Sequence, residues 1–399
     1  MSAKLTVKDL DLKGKKVLVR VDFNVPLKNG MITDDTRIKA CLPTIQYLID
    51  HKAKIILLSH LGRPKGNKNL EMSLAPCAKR LGELLKLPVK MAKDCIGDEV
   101  KKEVDALKEG EILLLENLRF YEAEEKPEKD SQFVKELSQL ADLYINDAFG
   151  TAHRKHTSTY YLAKEFPQKA AAGLLLQKEI DFLGKALANP EKPFYAIIGG
   201  AKISTKIGVL QSLISVVDKI FIGGAMAYTF FKAQGLEVGK SLCEDEYLEQ
   251  AKEIMNVAEK QKVSIILPID TVITKEIKEQ ASSKVVSIQE GIPKEMEGVD
   301  IGPQTIKLFK QELKDAKTIF WNGPLGVFEV DEFAKGTEEV ATFIANLNCT
   351  TIVGGGDSIA ALNKLHLANK ISHISTGGGA SLEYIEHHSL PGIDVLSDK

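Results

Sequence analysis

The sequence predicts an α/β protein of two doubly wound, Rossmann-like parallel-sheet domains joined by a hinge helix. Three observations carry this expectation. Ten short apolar segments recur along the chain, amphipathic stretches separate many of them, and a long helical stripe near the middle stops at Asn189-Pro190. Continuously apolar strands are those covered on both faces. Strands alternating with helices build βαβ units and parallel sheets. Ten strands are many for one open sheet, so two sheets are expected.

The segments fall into two groups. KVLVRVDF (16–23), KIILLSH (54–60), EILLLEN (111–117) and LYINDAF (143–149) read as strands of the first half. FYAIIGG (194–200), KIFIGG (219–224), VSIILP (263–268), TIFWNG (318–323), TIVGGG (351–356) and ISHIST (371–376) read as strands of the second. Between them, DEYLEQAKEIMNVAEKQ (245–261) sets Leu248, Ala251, Ile254 or Met255, and Ala258 at helical spacing. The stretch 174–193 carries a stripe of Leu175, Lys178 or Glu179, Phe182 and Leu183 and ends at a proline. The expected division is a first domain over 1–175, a hinge helix and linker over 176–193, and a second domain over 194–385.

Bulk properties narrow the function classes. The chain has 399 residues, 53 Lys plus Arg against 55 Asp plus Glu, and a formal net charge of −2. This balance gives no reason to expect nucleic-acid or membrane binding. The N-terminal stretch has no apolar core of a signal peptide, and no apolar run reaches transmembrane length. Five scattered cysteines without a C-x-x-C read as reduced thiols of a cytoplasmic protein.

The strand ends of the first half suit anions. RVDFNVP (20–26) ends a strand with Asp22, Phe23 and Asn24, and DDTRIKA (34–40) starts a helix carrying Arg37. SHLGRPKG (59–66) holds His60, Leu61, Gly62 and Arg63, ENLRFYEAEE (116–125) holds Arg119, and NDAFGTAHRKHTST (146–159) holds Arg154. In open α/β sheets, ligands sit beyond the carboxyl ends of the strands. Arginine recognises carboxylate and phosphate through a planar fork of donors. Such a ring with an Asp and an Asn suits a small phosphorylated hydroxy acid. A single loop arginine is more often a solvated side chain, but four basic groups at strand ends make that account weak. Lys65, Lys155 and His156 are expected to be surface or capping residues.

The strand ends of the second half suit a nucleotide. IIGGAKISTKIGVL (197–210) spaces Lys202 and Lys206 four apart, near the positive start of a helix expected over 203–215. FIGGAMAYTFF (221–231) repeats the strand–Gly–Gly–helix form without charge, which favours an apolar base pocket. FWNGPLGVFEV (320–330) supplies Asn322 and Glu329, with Trp321 expected in the core. GGGDS then brings Gly355, Gly356, Asp357 and Ser358. An Asp there often serves as a helix N-cap; beside a phosphate site, Mg²⁺ ligation is the better reading. A second glycine triplet includes Gly378 and Gly379.

Together, RVDFNVP, DDTRI, SHLGRP, ENLRF, NDAFGTAHR, GGAKISTKIGVL, GGAMAYTF, DIGPQT, WNGPLGVFE, GGGDS and STGGGAS closely resemble phosphoglycerate kinase, in order and over essentially the whole chain. The resemblance implies a monomeric cytoplasmic enzyme of glycolysis. Its first domain would hold 3-phosphoglycerate or 1,3-bisphosphoglycerate through Asp22, Phe23, Asn24, Arg37, His60, Leu61, Gly62, Arg63, Arg119 and Arg154. Its second would hold MgADP or MgATP through Lys202, Gly298, Asn322, Glu329 and Gly355–Ser358, with Asp357 on the metal. Arg37, Lys202, Lys206 and the Gly378-Gly379 turn would support the transferring phosphoryl group, and the tail 386–399 would pack on the first domain. The acceptor is a carboxylate already ionised at pH 7, so no general base is needed. His60 and His153 accordingly read as hydrogen-bond donors or structural residues. A nucleotide-dependent dehydrogenase rests on the glycine-rich turns alone, and a non-catalytic scaffold would have lost lysines or arginines that this chain keeps.

Overall fold

The computed structural model describes residues 3–399. The chain forms two compact units, Met1–Asp181 with Ser389–Lys399, and Phe182–His388. Each is built on a parallel sheet, as the sequence predicts; both sheets have six strands, where four were read in the first half.

In the first unit the strand order is Val89–Met91, Ile112–Leu114, Lys54–Leu58, Lys16–Arg20, Leu143–Asn146, Ala170–Ala172. The two outermost strands have only three residues each and escape a reading by apolar runs. Helix Thr36–Asp50 buries Ile38, Cys41, Ile45 and Leu48 on one stripe, in the same core as Val17, Val19, Ile55 and Leu57. Burying such a side chain contributes roughly 1.5–3 kcal/mol, so this stripe fixes the helix that carries Arg37. The chain end closes the sheet edge: Ser397 N donates to Ala170 O at 2.9 Å, and Leu5 N to Ser397 O at 2.8 Å. A covered edge leaves no free ladder for another chain to pair with.

In the second unit the order is Ser264–Ile266, Lys219–Ile222, Phe194–Ile198, Thr318–Asn322, Thr350–Gly354, His373–Ile374. A further antiparallel sheet, Ser283–Ser287, Asp270–Thr274, Glu297–Ile301, was not expected. Its edge strand SKVVS is largely exposed and carries no apolar run. Its central strand begins with buried Asp270, whose carboxylate accepts from Gln304 N and Thr305 N at 3.0 and 2.8 Å. A strand opening on a charge makes sense only once the start of helix Pro303–Leu313 is seen beside it.

Two helix expectations need correction. Helix Leu174–Ala188 buries Leu176, Glu179 and Leu183, whereas Leu175 and Phe182 are half-buried and Lys178 is exposed. Asp147 Oδ1 accepts from both Leu175 N and Leu176 N, at 2.9 and 3.2 Å, and this cap sets how the first turn is rotated. The helix expected over 203–215 begins only at Ile207, with Lys206 as its N-cap. Upstream, Ser204 is pulled away by Glu244, which accepts its N–H at 2.9 Å and its hydroxyl at 2.6 Å. Lys202 therefore sits on an irregular segment and does not share a helix face with Lys206.

Candidate functional site

Strand register brings the expected residues to one end of each sheet. In the first unit Arg20 lies opposite both Leu58 and Asn146, and Leu57 lies opposite Leu114. The segments 21–24, 59–63, 117–119 and 147–156 thus all leave the sheet at the same end.

There Asp22, Asn24, Arg37, Gly62 and Arg119 form one hydrogen-bonded cluster. Arg37 Nη1 donates to Asp22 Oδ2 and to Asn24 O, both at 3.1 Å. Asn24 Oδ1 accepts from Gly62 N at 2.9 Å, and Arg119 Nη1 donates to Gly62 O at 2.8 Å. Phe23 N is held by Ser59 Oγ at 2.9 Å, and Leu61 N by Asn117 Oδ1 at 3.2 Å. Arg119 is buried with its Nε unpartnered, and burial lowers its pKa. Arg63 and Arg154 point their charge to solvent. Glu125 Oε1 lies 3.2 Å from Arg119 Nη2. The positive charge of Arg37, Arg63, Arg119 and Arg154 still outweighs the carboxylates of Asp22 and Glu125 here, so the surface attracts anions.

Burial and then Arg20, Arg119, Arg37 and His156 push the His60 pKa well below its ordinary value, so it is neutral. His153 is lowered to about 4, by burial and then Arg154. His156, expected at the surface, is buried, and burial with Arg119, Arg20 and Arg154 lowers it to about 3. Sequence reasoning also passed over Arg20, which is 1% exposed at the end of its strand. A charge closing the apolar run KVLVR was the available signal.

In the second unit Ile198 lies opposite Ile222 and Asn322, Asn322 opposite Gly354, and Val353 opposite Ile374. The paired glycines stitch these strand ends together. Gly199 N donates to Asn322 O, Gly200 N to Pro324 O and Gly224 N to Leu325 O, at 2.9, 3.0 and 2.9 Å. A Cβ on Gly199 would lie 2.1 Å from Pro324 O, which excludes any side chain. Gly323 adopts φ +97°, a left-handed backbone that favours glycine.

Beneath this seam lies a cavity of about 230 Å³. Its walls include Gly200, Gly224, Tyr228, Gly298, Leu325 and Val327, with the exposed carboxylates of Glu329 and Asp357 also on its lining. Gly298 and Tyr228 touch through the unexpected antiparallel sheet: a Cβ on Gly298 would lie 2.0 Å from the Tyr228 hydroxyl.

The charged groups are deployed differently. Lys206 is half-buried, and desolvation lowers its pKa to about 8, while the carboxylate of Asp357 opposes the shift. Its Nζ donates to Asn322 Oδ1, and Asn322 Nδ2 is buried without a partner. Lys202 is exposed. The N-cap of helix Gly356–Lys364 is Gly355, so Asp357 lies inside the first turn, where a carboxylate is favoured by the helix dipole. Ser358 is fully buried, and its hydroxyl accepts from Gly323 N at 2.7 Å, tying that helix to the neighbouring turn. Trp321 is in the core and donates to Gly323 O at 2.7 Å. Gly378, at φ +53°, caps helix Gly379–His387.

Among the described residues, no group of three or more His, Cys, Asp or Glu is arranged to hold a metal, and no helix is long and apolar enough to cross a membrane.

Comparison with known proteins agrees with this architecture. The profile of the family described as phosphoglycerate kinase matches residues 7–388. A phosphoglycerate kinase of Dictyoglomus turgidum is 57% identical over 396 residues, covering 99% of this chain and 98% of that one. One from Borrelia turicatae is 55% identical over 391 residues, covering 98% of each. Among solved structures, phosphoglycerate kinase from Coxiella burnetii superposes with a TM-score of 0.86 at 41% identity, covering 98% of both chains. That from Pyrococcus horikoshii gives 0.85 at 33% identity, again over 98% of both.

Proposed function

The chain belongs to the phosphoglycerate kinase family, and is thus a glycolytic phosphotransferase working reversibly between 1,3-bisphosphoglycerate and ADP; on that premise we propose how its residues divide the reaction. The acid substrate binds the first unit. Arg63, Arg119 and Arg154 take its phosphate, and Asp22, Asn24 and His60 take its hydroxyl and acyl end, with the backbone of Phe23, Leu61 and Gly62 shaping the floor. The nucleotide binds the second unit. The glycine-walled cavity takes the base beside Gly298, Glu329 takes the ribose, and Lys202, Asn322 and the Gly355–Ser358 turn take the phosphates. Arg37, Lys202, Lys206 and the Gly378-Gly379 turn stabilise the phosphoryl in flight.

The observation that carries this division is the contrast between the two strand-end surfaces. One presents a network of arginines around Asp22 and Asn24. The other presents a glycine-walled cleft. Gly356 and Gly379 sharpen the second reading. A Cβ on either would meet no protein atom within 4 Å, and neither backbone is left-handed. The fold itself does not ask for glycine there; close approach of an anion to the N–H groups of a helix start does.

Mg²⁺ enters with the nucleotide as part of the substrate. It commonly binds through one or two carboxylates plus phosphates and water, and the exposed carboxylate of Asp357 on the cavity lining fits that donor set. Transfer needs donor and acceptor oxygens in line, with reacting atoms roughly 3–3.5 Å apart. The protein's part is positioning and charge stabilisation, without a base. The family likeness extends the reading to a monomer working in the cytoplasm.

Amide chemical-shift mapping tests the division. 3-Phosphoglycerate alone should move signals of 22–24, 60–63, 119 and 154. MgADP alone should move those of 199–206, 223–228, 298, 322–329 and 355–358. The reverse pattern, or both ligands acting on one unit, overturns it.

A further inference from the structure

Behind the arginine cluster of the first unit runs a second layer of polar groups that the proposed contacts do not use. Arg20, Ser158 and Glu124 are 1%, 0% and 0% exposed, and His60 is 3% exposed. Charged groups so deep are costly unless paired and hydrogen-bonded, and here each is. Arg20 Nε donates to Ser158 Oγ at 2.7 Å, and Ser158 Oγ lies 2.6 Å from Glu124 Oε1. Ser158 N adds a second bond to Glu124 Oε2 at 3.0 Å. At the other end, Arg20 Nη2 lies 3.1 Å from His60 Nδ1.

Burial raises the Glu124 pKa, while Arg20 and the two Ser158 bonds oppose the rise; with Glu124 ionised, every proton in this chain has one direction. A guanidinium has only donors and stays protonated. Ser158 Oγ therefore accepts from Arg20, and its single hydrogen goes to Glu124. His60 Nδ1 likewise must accept. Its other charged or titratable neighbours, Arg119, Arg37 and His156, add positive charge or sit neutral, so nothing beside the ring favours the imidazolium. The remaining ring hydrogen is on Nε2.

Local backbone serves the same arrangement. Ser158 lies in a π-helical turn, Thr157–Tyr161, a wide and rare geometry often found near functional sites. Thr157 Oγ1 donates to Ala123 O at 2.6 Å, so this turn and the Glu122–Glu125 segment are fastened at two adjacent residues.

We propose that Glu124, Ser158 and Arg20 are positioning residues for the acid substrate, forming a one-way hydrogen-bond chain that locks His60 as its Nε2–H tautomer. The role rests on the assignment of His60 to the phosphoglycerate site. It gives that site a neutral, directional donor that holds its form across physiological pH. A freely titrating histidine would change its charge and its donor pattern there.

Nitrogen NMR of ¹⁵N-histidine-labelled protein tests the chain without ligand. Wild type should show His60 as a single Nε2–H tautomer from pH 6 to 8. Ser158→Ala, and separately the milder Glu124→Gln, should bring in the Nδ1–H form. Each should raise the KM for 3-phosphoglycerate, by roughly five- to fifty-fold for Ser158→Ala, with the KM for MgATP unchanged. A merely structural role predicts something else: both KM values rise, or the melting temperature falls, while the His60 ring signals stay as in wild type. That result overturns the proposal, as does an Nδ1–H or titrating His60 in wild type. Should Ser158→Ala fail to fold, Glu124→Gln decides by the same readings. Adding 3-phosphoglycerate to wild type separates the two assignments. If the tautomer behaves as expected but no His60 signal moves with ligand, the chain stands as a tautomer lock and the placement of the substrate fails.

Discussion

Lys206 and Asn322 hold each other at the head of the second sheet, with the lysine ammonium donating to the amide oxygen. Burial lowers the Lys206 pKa from 10.5 to about 8. A cation so poised is mostly charged at pH 7 and loses its charge just above it. Nucleotide turnover measured as kcat/KM should therefore decline as pH rises through about 8. In Lys206→Arg, whose cation does not titrate there, that decline should vanish. Parallel profiles for the two proteins would remove Lys206 from the reaction.

The same depressed pKa has a consequence for stability. Between pH 8 and 10.5 the unfolded chain binds more protons at Lys206 than the folded chain does, so stability should rise with pH across that window. The full shift corresponds to roughly 3 kcal/mol. Urea unfolding of wild type and Lys206→Met at pH 7 and pH 10.5 checks it. Wild type should gain on the variant at the higher pH; a constant gap would mean that the lysine titrates normally.

Gly379→Ala should separate activity from folding. The added methyl points into space free of protein atoms, and alanine favours a helix over glycine by up to about 1 kcal/mol. The melting temperature should hold or rise slightly while kcat falls at least tenfold. Full activity would show that no anion approaches this turn.

Gly298→Ala should do the opposite. Its methyl would collide with the Tyr228 hydroxyl, itself 2.8 Å from Thr271 Oγ1. Overpacking typically costs about 1–3 kcal/mol, and displacing Tyr228 narrows the cavity. Calorimetry should find weaker ADP binding and a lower melting temperature together, with 3-phosphoglycerate binding retained.

Arg37→Ala should lower kcat by roughly 3–4 kcal/mol of transition-state stabilisation, as for a lost oxyanion donor, while ADP affinity holds. Arg37 is half-buried and already held by Asp22 and Asn24, so its fork is pre-aimed. Near-wild-type kcat would end its catalytic assignment.

Strand-end chemistry was legible in the sequence because parallel strands are short, apolar and terminated by what they carry. Asp22, Asn24, His60, Arg63 and Arg119 follow such runs directly, and in-register pairing obliges them to emerge at one end of the sheet. The glycine pairs were legible for the same reason. What the sequence left open depended on partners far along the chain. Arg20 reads as the last residue of a strand until Ser158, 138 positions away, accepts its proton. Ser358 reads only as a residue of the glycine-rich turn, and its bond to Gly323 N, 35 positions upstream, appears only in the fold. The antiparallel sheet was hidden because its edge strand is solvated and its centre opens on Asp270, a helix cap. Local periodicity thus determined the two parallel sheets, most of their strands, and the end of each sheet at which the polar strand-end residues gather. Packing decided which polar side chains face that surface and which hold it from behind. A buried donor or acceptor must find its partner wherever the fold brings one, and sequence distance carries no record of that choice.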